Sequence, residues 1–419
     1  MGQIMKYSNG LRLVNKYMPT TRSIAIGVFV GIGSANETRE NNGISHFVEH
    51  MMFKGTKKRS AFQIAEQIDG IGGQINAYTS KQMTAYYTVS VDEHTNKCLD
   101  VLSDLFFNSK FDEVEIKKEQ GVVLEEIAMV EDTPDDLCLD LSTESYYGEH
   151  TLAYPILGSK ENVLSFDQAK LHDYVNNYYN PKNTVISIAG NITDDKAYKL
   201  IDKYFAKKMK DGEKIPTLLE KSTRKSSILI RKKEIEQANV AIVFPGLVFN
   251  DKLEVALLLM NSILGGGMSS LLFQKIREQL GLAYSVYSFP SSYINNGSYT
   301  VYYGTNKDKV KEALQATKKV LEKFVKTGIT DKEFTRGKEQ LKGALVLGQE
   351  SSSAIMNASG KTMIMKNEFF DIDNRLRDIN DLTVSDVNTV IRRVFNFEHI
   401  SMAYVGPEIK FNMLDLIKK

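Results

Sequence analysis

Apolar positions recur along this chain with two periods. Short runs rich in Val, Ile, Tyr and Thr, closed off by Gly, Asn or Pro, predict strands at 12–15, 23–30, 84–91, 184–189, 227–231, 240–244, 283–289, 298–303 and 399–405. Between them, a repeat of three to four residues predicts helices at 43–53, 61–69, 95–108, 112–131, 167–179, 194–205, 252–264, 307–326 and 331–348. Strand pairs are followed by helix pairs, not by single alternating helices. That order predicts an α+β fold, with helices packed on one face of a mostly antiparallel sheet.

One segment breaks both periods. Residues 206–226, AKKMKDGEKIPTLLEKSTRKS, are lysine-rich, hold Gly212 and Pro216, and read as a linker. The predicted organisation is a domain at 1–206, a linker at 207–226 and a second domain at 227–419. The two halves share a plan. TAYYTVSVDEHTNKCLDVLSDLFFNSKFDEVEIKKEQG reads as a strand, a helix, a break and a second helix, and SYTVYYGTNKDKVKEALQATKKVLEKFVKTGITDKEFTRGKEQ repeats it. This predicts an internal duplication. Placing Glu115 opposite Glu333 sets Glu119 opposite Gly337 and Glu126 opposite Ala344. The helix at 252–264 stands where 43–53 stood, and it has no histidine. Chemistry carried by those groups in the first half is therefore absent from the second, which is left with shape or binding.

Composition narrows the partners. A formal net charge of +1 argues against nucleic acid or an anionic membrane, both of which favour a basic excess. Cys98 and Cys138 lie far apart and outside any CxxC, which excludes a disulfide framework and fits a reducing compartment. The first twenty residues show no basic region followed by an apolar run, and no apolar stretch approaches a membrane span. The expectation is a soluble cytoplasmic protein.

The chemistry concentrates in NGISHFVEHMMFKG, residues 42–55. Ile44, Phe47, Val48, Met51, Met52 and Phe53 give it an apolar back. His46 and His50, two of six histidines in the chain, are four apart and share a face one turn apart. Glu49 borders that face. Two imidazoles at this spacing suit Zn²⁺, which in catalytic sites takes three protein ligands and leaves a position open. H-x-x-E-H is a metallopeptidase arrangement, the reverse of H-E-x-x-H. His94, His150, His172 and His399 are isolated and read as structural or surface residues. The acidic helix at 112–131 is the better source of a third ligand. Glu119 and Glu126 share a face of it, and spacing alone leaves Glu125 and Glu126 both open. GGGMSSLLFQK, at 265–275, lacks the G-K-[ST] of a phosphate loop, and GIGSAN, at 31–36, lacks a dinucleotide fingerprint.

HFVEH followed seventy-six residues later by Glu126 resembles the signature of the pitrilysin/insulysin family of zinc metallopeptidases, which includes mitochondrial processing peptidases and small bacterial homologues. GISHFVEHMMFKGT, GGQINAYTSKQMTAYY, EQGVVLEEI, YYNPKNTVISIAGNI and GGGMSSLLFQKIREQLGLAYSV extend the resemblance over most of the chain. It implies a zinc endopeptidase of two similar α+β halves, with one Zn²⁺ per chain on His46, His50 and Glu126. Glu49 matches the general base and Glu119 a supporting acid. Arg277 and Tyr284 match residues of the second half that reach the substrate. Asn76, Ala77, Tyr78 and Thr79 match an edge strand on which the peptide is laid. The resemblance also implies a homodimer enclosing peptides or short unfolded polypeptides. Leu271 and Leu272 stand where relatives often carry Arg, and Met83 where His is common. The rival expectation is a non-catalytic partner subunit of the same fold, which erosion of the metal set would mark; here the set is complete.

Overall fold

The strand-forming runs pair into two sheets. The computed structural model describes residues 3–210, 212, 214–223 and 226–418; of the expected linker, residues 211, 213, 224 and 225 lie outside them. In the first sheet the strands are β1 (Gln3–Lys6), β2 (Arg12–Tyr17), β3 (Ser23–Val30), β4 (Gln74–Thr79), β5 (Thr84–Val91) and β6 (Thr184–Gly190), in the order β1-β2-β6-β3-β5-β4. In the second they are β7 (Ile228–Lys232), β8 (Gln237–Pro245), β9 (Ala283–Tyr293), β10 (Asn296–Asn306) and β11 (Ser401–Gly406), in the order β7-β11-β8-β10-β9. From β2 and β7 onward the two orders match. Each has one parallel pair, β2 with β6 and β7 with β11, and is otherwise antiparallel. This correspondence in pairing and direction is what a duplicated unit produces.

Helices cover both faces of each sheet, not one. On β3, Ile24, Ile26, Val28 and Val30 point into a core with the Ile44–Met52 and Thr95–Asn108 helices. Ala25 and Phe29 point the other way, to Met356 and Met363 of the Ser352–Lys366 helix. On β8, Val240, Ile242 and Phe244 join the Glu254–Leu264, Val310–Thr327 and Val384–Val394 helices. Ala241 of the same strand faces Leu137, Cys138 and Leu141 of the Pro134–Tyr147 helix. A strand buried on both faces loses its polar alternation, and β3 and β8 are buried along nearly their whole length.

The covering helices are exchanged between the halves. One compact unit comprises Met1–Ile127, Tyr154–Thr217 and Val346–Asp371, the other Ala128–Ala153, Leu218–Leu345 and Ile372–Lys419. The Pro134–Tyr147 helix thus belongs with the second sheet and the Ser352–Lys366 helix with the first. The contiguous partition expected, 1–206 and 227–419, differs from this grouping by 128–153 and 346–371. The division between Thr217 and Leu218 falls within the expected linker.

The exchanged helix on the first sheet packs closely because Ser352, Ser359 and Gly360 stand among the two methionines of its buried face. A Cβ at Gly360 would stand 2.2 Å from Cε2 of Phe29. Gly343, in the Asp331–Leu347 helix, has no atom within 4 Å of such a position. We expect Gly360→Ala to destabilise the protein by about 1–3 kcal/mol through overpacking. Gly343→Ala should stabilise it by about 0.5–1 kcal/mol, as helix interiors favour alanine. Urea unfolding midpoints of the two variants should move in opposite directions.

Candidate metal centre

The helix Ile44–Met52 is fixed before its polar face is used. Ile44, Phe47, Val48, Met51 and Met52 are buried against the first sheet. Such burial contributes about 1.5–3 kcal/mol per large apolar side chain. At its start, Gly43 takes φ 100°, where a Cβ would stand 2.8 Å from the backbone of Leu157 and Gly158. Glu37, fully buried, accepts hydrogen bonds from the Gly43 and Ser45 amides at 2.7 and 2.8 Å and from Asn42 Nδ2 at 2.9 Å. A carboxylate on the amides at a helix start also meets the positive end of the helix dipole.

The opposite face then carries His46 and His50, with ring nitrogens Nε2 3.2 Å apart. The helix Glu113–Asp132 brings Glu126 Oε2 to 3.7 Å from His46 Nε2 and 3.6 Å from His50 Nε2. Among the described residues, these three form the one group of at least three His, Cys, Asp or Glu side chains whose ligand atoms converge closely enough for a metal ion. Tetrahedral zinc with ligands about 2.0–2.1 Å away has ligand-to-ligand edges of about 3.3–3.5 Å. The observed triangle is close to one face of that tetrahedron, so the donor set fits zinc with a fourth position open.

Charge and protonation agree with that fit. Burial, then the neighbouring His50, pushes the pKa of His46 down to about 3 against the pull of Glu119, so its imidazole is neutral. Its Nδ1 is buried without a hydrogen-bond partner, leaving Nε2 as the nitrogen aimed at partners. On His50, burial lowers the pKa, but the Glu119 hydrogen bond and the charges of Glu126, Glu119 and Glu49 raise it above its ordinary value. His50 Nδ1–H donates to Glu119 Oε1 at 2.8 Å, which fixes the tautomer and turns the Nε2 lone pair to the site. Glu119 is only 3% exposed. Burial raises its pKa, yet His50 and Lys54, whose Nζ lies 2.6 Å from Oε2, bring it below the usual range. Glu49 accepts a short hydrogen bond from the Thr79 hydroxyl. Burial raises its pKa, Thr79 and His50 oppose, Glu126 adds to the rise, and the net shift is upward.

Spacing left Glu125 and Glu126 both open; Glu126 is the one in the convergent group, and Glu125 is exposed. β4 is an edge strand of its sheet and carries Asn76, Ala77, Tyr78 and Thr79. Ala77 packs with Ile75 on the core of the histidine helix, whereas the Tyr78 hydroxyl turns to Asn357 on the exchanged helix at 3.2 Å. Arg277 and Tyr284 belong to the second unit. The Arg277 guanidinium stacks 4.7 Å from the Phe273 ring and 4.9 Å from that of Tyr284, which is 81% exposed. Met83 is buried with Met356 and Met363, a place that has no use for an imidazole. Leu272 is buried in the second core and Leu271 packs against it. Outside the group, His150 is held by the Glu220 carbonyl at 2.9 Å, and His172 lies against Phe111. Sequence reasoning missed Lys54 altogether, and it gave Thr79 a role through its backbone, not through its hydroxyl. A lysine after a helix and a threonine in a strand carry no pattern that points to a site.

The second unit shows the same scaffold without the chemistry. Gly337 is buried where the duplication sets it opposite Glu119, and a Cβ there would touch Ile263 at 3.0 Å and Leu259 at 3.4 Å. Both belong to the buried face of the Glu254–Leu264 helix, which carries no histidine.

The family description "Insulinase (Peptidase family M16)" matches residues 12–160, and "Peptidase M16 inactive domain" matches 165–341. An uncharacterized zinc protease of Bacillus subtilis is 45% identical over 399 residues, which cover 95% of this chain and 97% of that one. The chain belongs to the M16 peptidase family. A second M16 relative, an uncharacterized zinc protease of Streptomyces coelicolor, is 36% identical over 95% of this chain and 88% of its own. A protease of Helicobacter pylori has the same fold, with a TM-score of 0.90 at 24% identity over 97% of this chain and 99% of that one. An M16 inactive domain from Pseudomonas fluorescens gives a TM-score of 0.91 at 19% identity, covering 98% and 99%. The part of this M16 chain matched by the inactive-domain description includes Leu259, Ile263 and Gly337.

Zinc binding should depend on pH through one imidazole. His46 is already neutral, so only His50 has a proton to lose to the metal. Between about pH 5 and about pH 6.5, the logarithm of the zinc association constant should fall by about one per unit of acidification. A competition titration with a chromophoric chelator measures this; a slope of two would contradict the assignment of His46.

Proposed function

We propose that this protein is a zinc-dependent endopeptidase that hydrolyses peptides or short unfolded polypeptides. The observation that carries the reading is the convergence of His46, His50 and Glu126 beside Glu49, whose pKa is raised toward the range useful in a base. Zinc, when bound by His46, His50 and Glu126, supplies Lewis acidity that makes water nucleophilic at neutral pH and polarises a peptide carbonyl.

The chain's own residues do the rest. Glu49 takes the proton of the attacking water and returns it to the leaving amine. Thr79 holds the Glu49 carboxylate by its hydroxyl. Glu119 holds His50 in the tautomer that leaves Nε2 free. β4, an edge strand, offers its backbone to an extended peptide around Asn76–Thr79, so recognition is largely tolerant of sequence. The family resemblance gives Arg277 and Tyr284 a part in substrate contact, and it also supplies a homodimer. The two cysteines, free and buried, support a cytoplasmic location. Among the described residues no helix is long and apolar enough to cross a membrane.

Glu49→Gln should keep bound zinc at the wild-type level and lower cleavage of an unstructured peptide by at least about 100-fold, the usual size of a lost acid–base group. A chelator should abolish wild-type cleavage and added zinc restore it. A wild-type protein that holds zinc and cleaves nothing would favour the non-catalytic partner subunit instead.

A further inference from the structure

Three carboxylates, Glu49, Glu119 and Glu126, surround the two imidazoles. A divalent ion neutralises two of the three negative charges. Among the described residues, Lys54 is the one lysine or arginine paired with any of these carboxylates. It follows the histidine helix by two residues, four beyond His50, so the turn that ends the helix carries it past the same face. Its backbone amide donates to the Met51 carbonyl at 3.2 Å, and Gly55, at φ 112°, turns the chain away immediately afterwards. The ammonium lies 2.6 Å from Glu119 Oε2 while Oε1 accepts from His50 Nδ1 at 2.8 Å. Each oxygen of a buried carboxylate thus has its own partner, and the two partners come from opposite ends of one short segment.

We propose that Lys54 is a positioning residue of the metal centre, which locks the Glu119 carboxylate in the rotation that orients His50 and so sets the affinity for zinc. Without the ammonium, Oε2 is left buried and without its donor, and the carboxylate is free to turn toward other donors. The His50 ring loses its fixed acceptor, and the lone pair at Nε2 loses its aim. Substitution of groups that orient a ligand in this way typically weakens metal binding by about 10–100-fold. The inference rests on the metal reading above but not on peptide cleavage.

The test is a zinc competition titration on the full chain, with apo-protein melting temperatures alongside. Lys54→Met and Lys54→Gln should each weaken zinc binding by about 10-fold or more. Lys54→Arg, which restores the cation, should stay within about threefold of wild type by the same comparison. Lys118→Met, which removes an exposed lysine paired with Glu115 on the acidic helix, should leave affinity unchanged. Wild-type affinity in Lys54→Met and Lys54→Gln would overturn the proposal. So would equal losses in Lys54→Arg or in Lys118→Met, which would point to packing or to net charge. A wild-type protein that binds no zinc would overturn the metal reading and this inference together. A wild-type protein that binds zinc, weakens in Lys54→Met and cleaves no peptide would support this inference and overturn the peptidase.

Discussion

The Ile44–Met52 helix has one rotation about its axis that buries Phe47, Val48, Met51 and Met52, and that rotation decides where His46 and His50 point. A slip of one residue turns a helix by about 100° and would send both imidazoles into the core. The apolar face resists such a slip, and Glu37 resists it at the helix start by holding the amides of Gly43 and Ser45. Everything else at the site is arranged around an axis already fixed. Glu126 and Glu119 arrive from a second helix, and Thr79 from the sheet edge, each meeting a group that cannot move to meet them.

The duplication separates scaffold from chemistry. Gly337 occupies the place of Glu119 against Leu259 and Ile263, and the helix that carries those two has no histidine. The same strand order supports both versions. The fold therefore does not require the imidazoles or the carboxylates. They are carried by the first half for what they bind, at the cost of grouping like charges and leaving His46 Nδ1 buried without a partner.

Much of this was legible in the sequence because the signals were periodic. The Thr95–Asn108 helix and strands β3 and β5 run over the residues that their patterns predict. The histidine helix was legible because two imidazoles on an apolar helix have few other uses. The exchanged helices were not. In Ser352–Lys366 the buried residues include Ser352, Ser359 and Gly360, so the packing face carries little hydrophobic contrast. Pro134–Tyr147 likewise buries Ser142 and Ser145 among its leucines and tyrosines. β4 is half-exposed at the sheet edge, and only the family resemblance marked it. Lys54 was invisible because a lysine near a helix end is normally a solvated charge; only the position of Glu119 gives it meaning.

The exchange of the Pro134–Tyr147 and Ser352–Lys366 helices has a consequence for how such a chain can arise. Each sheet borrows its outer cover from the other half of the sequence. A half made alone would expose an apolar sheet face and carry a helix with nothing to cover. Two copies of such a half, trading that helix, would satisfy each other, which is the arrangement domain swapping produces between chains. The present sequence joins both partners of the trade in one polypeptide, and fusion would have freed one partner to lose its ligands while still supplying the other with its cover.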